Sequence, residues 1–103
     1  MAEKTIYEIL TDTKLPVRYS HFTAPQDPPF LVYLGNGADE FDADNTTIWR
    51  RNTYTVEYYY KVKDESAEAA IEDALLAGGW RFDKSADTFI ESEGVFVIYY
   101  TLQ

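Results

Sequence analysis

Two strand-like segments of this sequence carry large apolar side chains on both of their faces. In "NTYTVEYYYKVKD" one face is formed by Tyr54, Val56, Tyr58, Tyr60 and Val62, and the other by Thr55, Glu57, Tyr59 and Lys61. The segment "VFVIYYTL", Val95 to Leu102, is apolar on both faces. A strand with one face in water alternates between apolar and polar residues, because successive side chains point to opposite sides. The second face of these strands therefore needs a cover, and we predict that another copy of the protein provides it.

The bulk composition indicates one folded domain over residues 1–103. A chain of 103 residues buries a core large enough to fold without disulfides or bound metals. It has no cysteine, which excludes disulfides and a cysteine nucleophile. It also lacks an apolar run of the length that a signal peptide or a membrane span needs. We expect a soluble protein, made in the cytoplasm, with no membrane partner.

The local signals predict the order α-β-β-β-α-β-β. Thr5 and Glu8 form a capping box that begins a short helix. The apolar run "FLVYL" reads as a strand buried on both sides, and a second helix is predicted from Asp64 to Ala77, ended by the glycine pair "GG". The tail is predicted to be a hairpin that turns at "EG" and returns through Val95–Leu102. The expected fold class is α+β, an antiparallel sheet packed by two helices.

The second helix has the clearer pattern. Its predicted buried stripe follows the helical spacing and consists of Ala67, Ala70, Ile71, Ala74 and Leu75. The small alanines of this stripe allow the helix to lie close to a sheet.

An acidic segment, "GNGADEFDADN", separates the two central strands. The tight-turn signal of Asn36-Gly37 and the length of the segment predict a projecting loop or a mobile hairpin from Gly35 to Asn45. Its acidic residues are Asp39, Glu40, Asp42 and Asp44. Alternating carboxylates can hold calcium, but the run lacks the central glycine and distal glutamate of an EF-hand loop. We expect a solvated acidic loop and no metal.

The sequence contains no signature of catalysis. Phosphate-binding glycine loops and the nucleophile elbow are absent, and His21 is the single histidine, so a histidine-based zinc site is excluded. Adjacent strand residues point to opposite faces, so we expect Ser20 and His21 not to meet. We predict that the protein is not an enzyme and holds no cofactor.

The charge balance limits the partners. Nine basic residues stand against eighteen acidic ones, a formal net charge of −9, so the general field of the protein repels nucleic acid phosphates and anionic membranes. Arg50 and Arg51 are the one adjacent basic pair, and we expect them to pair with acidic side chains within or between subunits. The alternative function is an acidic DNA mimic that inhibits a nuclease or restriction enzyme. Its candidate carboxylates are Glu65, Glu68, Glu72 and Asp73.

The residues "TIYEIL", "LPVRYSHFTAPQDPPFLVYLGNG", "ADN", "YTVEYYYK" and "FVIYYTL" together resemble a family. They are similar to the small neck and tail proteins of long-tailed phages and prophages of Gram-positive bacteria, described as tail terminators, tail-completion proteins or head–tail connectors. The resemblance covers nearly the whole chain and includes no catalytic motif. The predicted order of elements is also similar to that of the tail-terminator fold.

The resemblance implies a structural protein that forms a ring, commonly a hexamer, on the last ring of the tail tube. The implied partners are further copies of the chain, the tail-tube protein and the head-completion or connector protein, with DNA passing through the lumen without specific binding. The implied location is the host cytoplasm during assembly and then the neck of the virion. A ring of this kind needs two different patches on each subunit. The candidate interface residues are Tyr59, Glu57, Trp49, Arg50, Arg51, Phe41 and Tyr100.

Overall fold

The computed structural model describes residues 4–43 and 46–103, with side chains described except at 39–50. Over these residues, two helices and six strands follow one another. They are α1 (Ile6–Thr11), β1 (Val17–Tyr19), β2 (Phe30–Ala43), β3 (Thr46–Tyr60), α2 (Glu65–Ala77), β4 (Phe82–Lys84), β5 (Thr88–Ile90) and β6 (Val95–Leu102). The fold class is α+β, as the sequence predicts.

The strands form one mixed sheet in the order β1-β2-β3-β6-β4, with β5 also paired to β6. The prediction of a wholly antiparallel sheet is wrong at one edge, where β1 runs parallel to β2 and Val17 lies opposite Leu31. Parallel neighbours need a crossover connection. Residues 20–29, which are rich in proline, make this connection. The alternation of apolar and polar residues does not show in which direction a strand runs, so it does not predict the parallel pairing.

Both helices cover the same side of the sheet, and the core lies between them and the strands. The capping box of Thr5 and Glu8 begins α1, and the Asp64 side chain accepts hydrogen bonds from the Ser66 and Ala67 amides at the start of α2. The core includes Leu10, Leu31, Val56, Tyr58, Ile71, Leu75, Ile98 and Tyr100. Burying apolar area of this kind is the main stabilising contribution to folding.

Two details of the predicted core are wrong. Ala70 is exposed, and Glu68, which is 2% exposed, is buried on α2 together with Ile71 and Leu75. Val62 is 80% exposed because β3 ends at Tyr60, so the alternation that Val62 seemed to continue stops before it.

The tail contains the predicted hairpin, with its outgoing strand in two pieces. Both β4 and β5 pair antiparallel with the same edge of β6. Between β4 and β5, Ser85 continues the hydrogen bonding to β6. Its amide donates to the Tyr99 carbonyl, and its Oγ accepts a hydrogen bond from the Tyr99 amide. The turn closes at Gly94, whose φ of 66° suits glycine. The sheet therefore has six strands in place of the predicted five.

The acidic segment predicted as a projecting loop or hairpin is part of a long hairpin. The pairing of β2 with β3 continues from Phe30↔Tyr59 out to Ala43↔Thr46, with register shifts between Gly35 and Ala38 and between Phe41 and Asp42. The carbonyls of Asn36 and Gly37, at the first shift, accept hydrogen bonds from the buried hydroxyl of Thr53. Asn45 and its neighbour Asp44 lie outside the described residues.

Candidate functional site

The outer half of the long hairpin is a two-stranded arm, residues 35–43 and 46–54. Pairing of β1 with β2 stops at Tyr33, and pairing of β6 with β3 starts at Thr55, so within the described residues neither strand of the arm has a third neighbour. The described part of the chain measures 50 × 30 × 26 Å, with a radius of gyration of 15.0 Å. A compact domain of about 100 residues has a radius of gyration of about 13 Å. The described part of the chain is therefore more elongated than a compact domain of this length, as expected for a domain with a projecting arm.

A row of aromatic rings leads along the sheet to the base of the arm. Successive ring centroids are 5.1 Å apart from Tyr19 to Tyr33, 6.0 Å from Tyr33 to Tyr54, and 6.0 Å from Tyr54 to Trp80. Tyr19 is 55% exposed, and its hydroxyl accepts a hydrogen bond from the Gly35 amide on the edge of β2. The Tyr19 hydroxyl therefore takes the place of a further strand partner for Gly35, and the Tyr19 ring presents an aromatic surface beside the arm.

Arg51 fastens the arm to the body of the domain. Its guanidinium lies over the Trp80 ring, and its Nη2 lies 3.5 Å from the Gly79 carbonyl oxygen, to which it donates. A guanidinium is well suited to stacking on a ring, because it is planar and weakly hydrated. Whether Arg51 also pairs with an acidic side chain stays a prediction, because Asp39, which lies opposite it in the hairpin, has its side chain outside the described ones.

The side of the sheet away from the helices, here called the open face, has a partial cover from the chain itself. Val32 and Val97 on this face are 3% and 0% exposed. Phe22, in the crossover connection, packs edge-to-face on Phe30 with ring centroids 5.1 Å apart. Phe22 of the crossover therefore covers part of this face from within the chain, and cover by another copy stays a prediction for the accessible remainder.

Tyr59 lies at the middle of the open face. Its ring stacks on Phe30 at 5.0 Å, and its hydroxyl donates to Glu57 Oε1 at 2.6 Å. Burial, reinforced by this bond to a carboxylate, raises the pKa of Tyr59 far above its usual value. Next to this pair in register, Tyr99 is 37% exposed. Tyr59, Glu57 and Tyr99 form an amphipathic patch that remains accessible.

A cavity of about 180 Å³ opens beside Tyr59, between the crossover connection and the sheet. We call it the socket. Its lining includes the rings of Phe22, Phe30 and Tyr59, the buried Val32, and the polar side chains of His21 and Glu93. The sequence did not indicate it, because Phe22 and Phe30 flank a turn and their meeting depends on the path of the crossover.

The remaining candidate interface residues fall into two groups. Tyr100 is 0% exposed and its hydroxyl donates to Glu72 at 2.8 Å, so it belongs to the core, on the helix-covered side of β6. Its assignment to a surface was wrong because both faces of β6 are apolar in sequence. Phe41, Trp49 and Arg50 lie in the arm, where the backbone pairs Phe41 with Trp49, and their side chains lie outside the described ones.

A compact ion-pair cluster ties α2 to the sheet. The buried carboxylate of Glu68 contacts Lys63 at 2.7 Å and Lys84 at 2.9 Å, and Lys84 also contacts Glu72 at 2.8 Å. Burial opposes ionisation of Glu68, but hydrogen bonds from the two lysines prevail and lower its pKa. Lys63 in turn reaches Asp87, which accepts a hydrogen bond from the Tyr60 hydroxyl. Each charge of this cluster therefore has a partner inside the chain, with three carboxylates shared between two lysines.

Ser20 and His21 do meet, contrary to the expectation from strand alternation. Ser20 has a φ of 66° just after β1 ends, and its Oγ lies 3.1 Å from His21 Nδ1. Nucleophilic catalysis also needs a group that orients the histidine. Among the described residues, no carboxylate is hydrogen-bonded to this exposed ring. Nor do the described residues include a group of three or more His, Cys, Asp or Glu side chains placed to hold a metal ion.

Comparison with known proteins adds no family to this geometry. No family model matches the chain, and no curated protein matches it significantly. Of the helices among the described residues, neither has the length and apolar character required to cross a bilayer.

Proposed function

We propose that this chain is a structural assembly protein of a phage or prophage neck, which forms a ring, caps the tail tube and joins it to the head connector. The observation that carries the proposal is the arm. An isolated two-stranded hairpin is at best marginally stable in water. Strand edges without a neighbour also offer unpaired amide and carbonyl groups to another chain. A neighbouring subunit supplies the missing contacts.

The surface around the arm has the composition of an interface. Tyrosine, tryptophan and arginine are the residues that contribute most to binding between proteins. Here Tyr19, Tyr54 and Arg51 lie at the base of the arm, and Tyr99 is accessible on the open face. Two separate patches on one subunit are what a closed ring requires.

The resemblance in sequence gives the proposal its biological setting. It supplies the tail-tube and head-connector proteins as partners and the virion neck as the location. The net charge of −9 agrees with DNA sliding past such a ring without sticking, since like charges repel the phosphates.

The ion-pair cluster weakens the alternative of a DNA mimic. A mimic needs its carboxylates displayed over one continuous surface. Glu68 is buried between two lysines, and Glu72 is paired with one of them, which leaves Glu65 and Asp73 as exposed carboxylates of the predicted set on α2. We therefore retain assembly as the proposed function.

The test is the mass of the protein in solution by light scattering, over a range of concentration and salt, with electron microscopy of large species. We expect a ring of several copies, or a monomer that assembles on purified tail-tube protein. The decisive variant replaces residues 36–53, the arm beyond its base, with Asn-Gly, a sequence that favours tight hairpin turns.

This variant is expected to keep a single cooperative thermal unfolding transition and lose assembly. Arg51→Ala is the matched control for the loss of the contact with Trp80, because it keeps the arm. A wild-type chain that neither self-associates nor binds tail-tube protein would contradict the proposal. So would an armless variant that assembles as the wild type does.

A further inference from the structure

The two strands of the arm carry charges of opposite sign. The β2 strand of the arm has no basic residue, and its acidic residues are Asp39, Glu40 and Asp42. The β3 strand of the arm has no acidic residue, and its basic residues are Arg50 and Arg51. Within the hairpin, the backbone register places Asp39 opposite Arg51 and Glu40 opposite Arg50. Opposite charges that face each other across two strands stabilise the pair, and like charges there destabilise it.

Each strand of the arm also has an outer edge without a neighbouring strand among the described residues. The outer edge of β2 lies on the β1 side, where the pairing of strands ends at Tyr33, and the outer edge of β3 lies on the β6 side, where it ends at Thr55. Strand edges of this kind offer amide and carbonyl groups to another strand. The arm therefore has one acidic edge, on β2, and one basic edge, on β3.

The signs of the charges decide which edges of two arms can pair. Two acidic edges or two basic edges would bring like charges opposite each other. An acidic edge beside a basic edge repeats the opposition of charges that the two strands already have inside the arm. Charged residues on strand edges commonly prevent pairing with other chains. Here they oppose a two-fold dimer of like edges but favour a head-to-tail arrangement, in which each subunit uses two different patches.

The direction of the strands agrees with a head-to-tail arrangement. Copies related by rotation about an axis along the arm have arms that point the same way. In that case β3 of one copy runs antiparallel to β2 of the next, because the two strands are antiparallel within each arm. Residues 38–43 have about the usual length of a strand, so the added pairing is as long as that of an ordinary sheet.

We propose that the acidic β2 edge of the arm pairs with the basic β3 edge of the arm of a second copy, so that neighbouring arms form one continuous antiparallel sheet. The inference rests on the proposed function, because it names the two patches through which the subunits of the ring meet. The occupant is a second copy because each arm carries both the acidic edge and the basic edge that the contact needs.

An exchange of charge between Glu40 and Arg50 tests the pairing of the edges. Glu40→Arg and Arg50→Glu each place like charges across the contact and are each expected to weaken assembly roughly tenfold or more. The double variant restores the attraction and should recover most of the wild-type assembly. The matched controls are Glu65→Arg and Arg81→Glu, the same changes of charge at exposed residues outside the arm, and they should assemble as the wild type does.

Mixing the double variant with the wild type separates pairing between arms from a role of the charges inside each arm. A head-to-tail junction between the two kinds of subunit places like charges opposite each other at these positions. When both are co-expressed and captured through a tag on the wild type, we expect the double variant at a smaller share than random mixing gives. Charges that only held each arm together would give random mixing, and like edges paired about a two-fold axis would give an excess of mixed assemblies.

All comparisons are made at equal concentration and salt, or on tail-tube protein if the wild type assembles there alone, and thermal denaturation checks that each variant keeps its fold. Single variants that assemble as the wild type does, or mixed assemblies at or above the random share, would overturn the pairing of arm edges and leave the ring standing. A wild type that assembles neither alone nor on tail-tube protein would overturn both.

Discussion

The guanidinium carbon of Arg51 lies 3.5 Å from the centroid of the Trp80 ring, so a residue of the arm covers a residue of the core. Trp80 is 7% exposed. We expect Arg51→Ala to lower the free energy of unfolding by about 1 kcal/mol, the usual size of a cation–π contact that is partly shielded from water. Arg51→Lys should retain part of it, and Lys14→Ala should have no effect. Thermal denaturation measures the change, and equal effects of Arg51→Ala and Lys14→Ala would argue against the contact.

Glu68→Gln should be the most costly substitution of an acidic residue on α2. The neutral amide leaves Lys63 and Lys84 without their buried counter-charge, and we expect a loss of about 2 kcal/mol, as for hydrogen bonds to charged groups. Glu65→Gln, on the same helix but exposed, is the matched control and should change stability by less than about 0.5 kcal/mol. Urea denaturation compares the two. Similar values would mean that the cluster does not stabilise the fold.

Acid should destabilise the protein through the same cluster. Hydrogen bonds from the lysines outweigh burial and hold the pKa of Glu68 below its ordinary 4.5, and the bond from Tyr60 lowers the pKa of Asp87 below 3.8. A lowered pKa gives stabilisation that is complete above the ordinary value and is lost as pH falls through the folded-state value. The melting temperature of the wild type should therefore fall steeply below about pH 4.5. In Glu68→Gln the fall should be shallower, and an unchanged slope would exclude Glu68 as its source.

Alkali should act through Tyr60. Burial, together with its hydrogen bond to Asp87, raises the pKa of Tyr60 from 10.0 to about 12. A raised pKa gives stabilisation that is complete below the unfolded value and is lost as pH rises through the folded value, here between 10.0 and about 12. Tyr60→Phe should show a smaller loss of stability in this window. Part of the loss should remain, because burial also raises the pKa values of Tyr58, Tyr59 and Tyr100, and carboxylate partners raise those of Lys63 and Lys84. Identical pH profiles for the variant and the wild type would contradict this assignment.

Gly78 is required by the close approach of α1 to the end of α2. A Cβ at this position would overlap the side chain of Ile9, which is 2% exposed. We expect Gly78→Ala to cost about 1–3 kcal/mol through overpacking. Ile9→Val removes one of the overlapped carbons, so Gly78→Ala should cost less in that background. A double-mutant cycle measures the coupling, and strictly additive effects would show that the two residues do not press on each other.

The sequence by itself determined the features that depend on neighbours along the chain. The capping box of Thr5 and Glu8, the cap at Asp64 and the turn at Gly94 follow from local hydrogen bonding and backbone preference, and the structure has all three. The alternation of Val56, Tyr58 and Tyr60 likewise placed the helix-covered face, because a strand has a period of two.

Only the tertiary structure decided the features that depend on what packs where. Alternation marks both faces of β6 as apolar but does not say which one meets the helices, so Tyr100 was misplaced. The parallel pairing of β1 depends on the crossover, which also covers part of the open face and brings Phe22, Phe30 and Tyr59 together around the socket. The ion pairs of Glu68 join it to Lys63, just before α2, and to Lys84, in β4. The contact with Lys84 and the parallel pairing of β1 depend on how distant parts of the chain pack, which a local pattern in the sequence does not specify.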